Sequence, residues 1–328
     1  MVAAVGLFGD FGAPRDIDAV VRAQLADSLV HIVSKAGSYL EVDRGRLDAA
    51  VEQIRARKQD PGVFARYFDL IFAVNANQFA TANTLFAELI ERAAEPVSFA
   101  IVPYTRGELG SDYDRFPELL FAEFSNVNPM ASPSQSQSAA STQMLHEAIA
   151  IISRVDQGIY DEIDAFLARI YLAIANKDPL AKRFGGVTSL QVWGASFVNV
   201  EAYKTRWDAV QFLVHEITHS LLFGLGCDHP LVRNSPDESY KSPLRSDPRP
   251  MDGIFHATLV CARVTAFNRA WLDSGLIEGD DRDRSEEAII QISRFFRDGL
   301  AVVNQHGKLS EQARHLIDRS RLGLSVFA

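Results

Sequence analysis

The stretch Trp207–Leu225, WDAVQFLVHEITHSLLFGL, decides how this chain is read. Its apolar residues recur at helical spacing, Thr205 with Asp208 three positions on forms a capping pair, and Gly224 and Gly226 close the segment. A helix is therefore expected. Within it His215, Glu216 and His219 make an HExxH motif. Residues four apart share a helix face, so the two imidazoles can address one metal ion with Glu216 beside them.

Working outward, the remaining pattern is mostly helical. Apolar periodicity marks helices over 16–35, 47–57, 63–74, 79–92, 144–154, 159–175, 251–272, 285–303 and 310–322. Pro96–Val102 has the content of a short strand, and Val187–Val200, with a central glycine, suggests two short strands or one bent strand. That second segment leads straight into the motif helix, making it a candidate peptide-binding edge, although an ordinary core strand is the commoner outcome. The expected fold is mainly α, an α+β chain with a small sheet. The segment 126–142, NVNPMASPSQSQSAAST, lacks periodicity and reads as a linker or mobile loop. It divides the chain into a helical N-terminal region, 1–125, a candidate for substrate or leader binding, and a helical metal-binding catalytic region, 143–328.

Composition narrows the function classes. A 328-residue chain with 47% hydrophobic residues can bury a large core. Its 42 acidic and 33 basic side chains give a net charge of -9 without a basic cluster, which argues against nucleic-acid binding. The two cysteines, Cys227 and Cys261, match no zinc-ribbon spacing and suit a reducing compartment. The N-terminal MVAAVGLFGDFGAPRD is a poor signal peptide, and no apolar run approaches a membrane span, so a soluble, cytoplasmic protein without a membrane partner is expected.

A catalytic metal site usually has three protein ligands. His229, Glu238 and His256 are the candidates after His219. A metzincin would need glycine and histidine where Leu222 and Leu225 stand. Glu238 matches the spacing of the zincin aminopeptidases, but Pro236 and Pro243 bracket it where those enzymes have a helix. His256 lies on an apolar helix, where a lone histidine is more often a core residue. Beside an HExxH helix, a shared metal would satisfy its buried ring, and the balance reverses. Three histidines serve a zinc hydrolase or a non-haem Fe(II) oxygenase equally well. An oxygenase using 2-oxoglutarate needs a cation for the distal carboxylate of that cosubstrate. Lys241, Arg245 and Arg249 lie on the proline-rich loop Asp228–Pro250, where they read equally as solvated charges.

The combination of HEITH, the loop Tyr240–Pro250 (YKSPLRSDPRP) and Asp252-Gly-Ile-Phe-His256 resembles the HExxH-type peptide-modifying proteins of ribosomal-peptide gene clusters, which are 2-oxoglutarate-dependent peptide β-hydroxylases. The resemblance covers about 185–263. It implies iron held by His215, His219 and His256, with Arg249, and after it Arg245, gripping 2-oxoglutarate. It further implies O2 as cosubstrate, a precursor peptide hydroxylated at a β-carbon, and an accessory, proton-handling part for Glu216. Two other readings stand beside it. One is a zinc metallopeptidase with Glu216 as general base and Glu238 or His256 completing the Zn(II) site. The other is a non-catalytic peptide-binding scaffold of a biosynthetic complex.

Overall fold

The structure is a computed structural model, and it describes residues 11–36, 39–121, 127–181, 183–245 and 247–325. The N-terminal stretch judged for a signal peptide falls largely on residues 1–10 and so lies outside the described residues. In chain order the elements are α1 (Pro14–Ala36), α2 (Arg44–Ala56), α3 (Pro61–Asn75), α4 (Phe79–Ala94), β1 (Ala100–Pro103), α5 (Arg106–Leu109), α6 (Asp112–Phe121), β2 (Met130–Ala131), α7 (Gln135–Val155), α8 (Gln157–Phe166), β3 (Arg169–Ala175), β4 (Gly186–Val187), β5 (Ala195–Asn199), α9 (Arg206–Gly226), β6 (Ser239–Tyr240), β7 (Arg249–Pro250), α10 (Met251–Asp273), α11 (Asp280–His306) and α12 (Glu311–Ser325). The chain is 66% helical with a small mixed sheet, the expected class.

Two compact units divide the chain. The sheet unit is Pro14–Leu145 with Glu162–Thr205, and the histidine unit is His146–Asp161 with Arg206–Ala328 and Met1–Ala13. The division falls inside α7 and α8 and at the start of α9. It does not fall at 126–142, which is neither a linker nor a loop for most of its described length. Met130 and Ala131 form β2, and α7 begins at Gln135. The cause is local. The Ser134 hydroxyl accepts from Gln137 N at 3.2 Å while the Gln137 side chain accepts from Ser134 N at 2.9 Å, a reciprocal cap that starts a helix from residues whose composition resembles a loop.

In the sheet unit β1, β3 and β5 run parallel, β4 lies antiparallel on β5, and β2 pairs antiparallel with β3. The expectation of one helix over 159–175 is corrected here: α8 stops at Phe166, and β3 starts at Arg169. β3 is a central strand with Ile170, Leu172 and Ala173 fully buried, so it lacks the alternation that identifies a half-exposed strand. Gly194, at φ +93°, lets its carbonyl accept from both Ala168 N and Arg169 N at the entry to β3. Of the two readings of 187–200, two short strands is the one matched, by β4 and β5. All five residues of β5 are buried, and it lies between β3 and β4, so it is a core strand rather than an open edge. Aromatic rings fill the face beneath, Tyr171 stacking on Phe197 at 4.9 Å and Phe116 packing on both.

The histidine unit is built around two helices that are apolar nearly all round, which is the signature of burial on every side. α9 buries 13 of its residues and α10 buries 16. Gly299 of α11 faces Thr258 of α10 so closely that a methyl group there would collide with the Thr258 hydroxyl. Among the described residues, no helix is long and apolar enough to cross a membrane.

Candidate metal centre

α9 and α10 are held in register by a reciprocal amide pair. Gln211 Nε2 donates to Asn268 Oδ1 at 3.1 Å, and Asn268 Nδ2 donates to Gln211 Oε1 at 2.7 Å and to the Val264 carbonyl at 2.8 Å. Both amides are thus paired inside an apolar contact, where an unpaired one would be costly. Near the start of α9 the Trp207 indole donates to Ser285 Oγ of α11 at 2.8 Å. These bonds fix where the histidines lie.

His215 and His219 are one turn apart, and their Nε2 atoms are 3.2 Å apart. Two nitrogens bound to one ion at about 2.0–2.1 Å lie roughly 3 Å from each other, so this pair has the separation of a shared ligand set. Of the three candidates for a further ligand, His256 is the one in contact with them. Its ring stacks on that of His219 with centroids 5.6 Å apart at 22°, and its Nδ1 is 3.4 Å from His219 Nδ1. Phe223, one turn beyond His219, packs on the His256 ring at 5.0 Å. Glu238 is engaged elsewhere, accepting from the Tyr240 hydroxyl at 2.5 Å and lying 3.6 Å from Lys308 Nζ. His229 is exposed beside Asp228, at 3.1 Å.

The contact of His256 is with the opposite nitrogen of His219 from the one that faces His215. The three rings therefore form a chain, and among the described residues no group of three His, Cys, Asp or Glu side chains surrounds a single point as metal ligands do. The donor chemistry fits a divalent ion better than the ring placement does. Burial pushes His219 well below the ordinary imidazole range and lowers His256 against the pull of Asp252. The protein packed around His215 pushes it down to about 4, although the residue is exposed along one side. Water on that side moderates the effect, and the direction is what matters: a neutral imidazole at pH 7. Neutral imidazoles carry the lone pairs that metals need. Glu216 is buried in α9. The pair His215 and His219 fits a metal as it stands, whereas His256 meets the pair on the Nδ1 side of His219.

The arginines separate. Arg245 is exposed and donates to Asp247 Oδ1 at 2.9 Å, which holds that carboxyl below the usual range. Arg249 is half-buried in β7, paired with Tyr240 of β6. Its guanidinium lies over Gly253, with Nε 3.6 Å from where a Cβ would stand. Gly253 and His256 are three apart and share a face of α10. Arg249 therefore covers the face that carries His256, and the glycine gives it room. The missing side chain at 253 is the signal that sequence reading passed over, as are Phe223 and the Gln211–Asn268 pair. The loop before β7 is pinned along residues 306–310, with Arg233 N donating to the Lys308 carbonyl at 2.8 Å, Lys308 N to Asn234 Oδ1 at 2.7 Å and Ser310 N to the Leu231 carbonyl at 2.9 Å.

A comparison with protein-family models and a search of curated proteins found no match to this chain.

Proposed function

We propose that His215, His219 and His256 hold Fe(II), that Arg249 pairs with the distal carboxylate of 2-oxoglutarate, and that the protein hydroxylates a β-carbon in a ribosomally made precursor peptide. The observation that carries this reading is the company His256 keeps: its ring stacks on His219 of the HExxH motif, and Arg249 lies over Gly253, which shares its helix face. When bound, iron and 2-oxoglutarate with O2 supply the oxidation, one oxygen atom going to the peptide and the other to succinate as carbon dioxide leaves. The residues of the chain do the rest. Three neutral imidazoles offer nitrogen donors and leave three positions open on a six-coordinate ion. Arg249, with a planar set of donors, suits a carboxylate better than a lysine would. Phe223 shields His256 from water. Cys227 and Cys261, both free thiols, agree with a reducing cytoplasm, where ferrous iron persists.

The test is to load the protein with Fe(II), add 2-oxoglutarate, O2 and the peptide encoded beside it, and measure peptide mass and succinate. A gain of one oxygen coupled to succinate supports the oxygenase. Cleaved peptide with no need for 2-oxoglutarate would replace it with a zinc peptidase, a reading favoured by Glu216 standing next to His215. An unaltered peptide and no retained metal would leave the scaffold.

Glu216→Gln separates the two enzymes further. As the base of a peptidase, Glu216 would be worth about 10²–10⁴ in rate, whereas the oxygenase should keep its turnover within a few-fold. Arg249→Ala should weaken 2-oxoglutarate by about ten- to a hundredfold, the worth of charge-assisted hydrogen bonds, with iron content unchanged. Calorimetric titration of the cosubstrate reads this directly. Unchanged affinity would move the part to Arg245 or Lys241.

A further inference from the structure

The sheet unit contains a cleft of about 590 Å3 that the reading above does not use. That size lies within the range of small-molecule pockets. Tyr171 of β3 lines it and is 5% exposed, its ring fixed against Phe197 and Phe116. Among the described residues the Tyr171 hydroxyl has no hydrogen-bond partner. The neighbouring Tyr104 is different, since its hydroxyl donates to the Tyr113 carbonyl and accepts from Asn128 Nδ2 at 3.3 Å. A phenol so buried is normally paired, and one that opens on a cleft without a partner is a place for a ligand.

The charges around the cleft say what kind. Arg92 grips Asp112 with Nη1 at 2.6 Å and Nη2 at 3.2 Å, and Arg169 Nη2 is 3.6 Å from Asp60 Oδ2. Both arginines of the wall thus face a carboxylate, and Asp112 is shared with Arg66 behind it. Glu95 and Glu108, also in the wall, are exposed and make no ion pair among the described residues, so the cleft carries two uncompensated negative charges. We propose that this cleft binds an organic cation, a guanidinium or alkylammonium group, which donates to the Tyr171 hydroxyl while Glu95 and Glu108 face its charge. Burial pushes the Tyr171 phenol far up, so it stays neutral and can accept. The cation can be a free small molecule or a basic side chain of a peptide. The proposal does not depend on the metal centre, and neither does its test.

The test is a calorimetric titration of the full chain with L-argininamide and with acetyl-Gly-Arg-Gly-amide, each compared with its citrulline counterpart, which keeps the shape and removes the charge. Saturable binding of the arginine probes, at least about tenfold tighter than the citrulline ones, is expected. Tyr171→Phe, which changes no volume that packs, should weaken the arginine probes by about tenfold with the thermal midpoint kept. Glu108→Gln, an exposed substitution, should weaken them and flatten their salt dependence. Tighter binding of the tripeptide identifies a peptide side chain as the source, and tighter binding of argininamide identifies a free cation. Equal binding of the citrulline probes, no saturation at millimolar arginine probe, or unchanged affinity in both variants overturns the proposal.

Discussion

Under the proposed function, His219→Ala is expected to give a folded protein that retains no iron and does not hydroxylate peptide. His219 is the middle of the histidine chain, touching His215 through Nε2 and His256 through Nδ1, so its loss leaves two imidazoles with nothing between them. Side chains that merely orient a metal ligand are worth ten- to a hundredfold in affinity, and a ligand itself should exceed that, a loss of about a hundredfold or more. Metal analysis after gel filtration reads the effect. The structural cost should be small or reversed, because the ring is an imidazole kept neutral by burial. His256→Ala should follow the same course more mildly, and His229→Ala, on an exposed residue, should change neither metal nor turnover. Iron retained at one equivalent in His219→Ala would remove the basis of the proposed centre.

Asp112→Ala is expected to be the most destabilising single change in the sheet unit, by about 3–5 kcal/mol. Its side chain is 7% exposed and takes Arg92 on one flank and Arg66 Nη2 at 2.9 Å on the other. Burial pushes the Asp112 carboxyl up against the pull of Arg92 and Arg66, and the short contacts to two guanidiniums hold it as the anion. Arg66, itself 5% exposed, also holds Asp69 at 3.2 Å and Glu88 at 2.8 Å. Removing the aspartate leaves two guanidiniums with one fewer counter-charge, and the backbone of Gly62 lies against the guanidinium of Arg92 with no side chain to fill the gap. Urea denaturation should show the midpoint falling at constant slope. A change under about 1 kcal/mol would mean that the network is solvated and structurally idle.

The parts of the chain legible in the sequence are those where local pattern and tertiary environment agree. α9 and α10 are apolar at helical period and end on glycine or proline signals, and the structure has them within a residue or two of the expected bounds. The contact of His256 with His219 was legible because a buried ring needs a partner. β3 was hidden because a strand covered on both faces has no alternation, and its alanines and Leu172 suit either state. The first half of α7 was hidden, while 144–154 was legible, because serine and glutamine read as loop until Ser134 and Gln137 are seen to cap each other. The orientation of the His256 ring, the seat of Arg249 on Gly253 and the Tyr171 cleft depend on contacts between residues distant in the chain, which no local pattern encodes.

The pinning of the loop before β7 has a consequence for the order of events as the chain is made. Synthesis runs from the N-terminus, and domains fold as their parts appear. The HExxH helix is complete long before Lys308 and Ser310 leave the ribosome, yet Leu231, Arg233 and Asn234 find their backbone partners only there. Until then the segment carrying Arg245 and Arg249 lacks its anchorage along 306–310. Anchorage of the arginine loop therefore waits for the last helices of the chain, which are made after all three histidines.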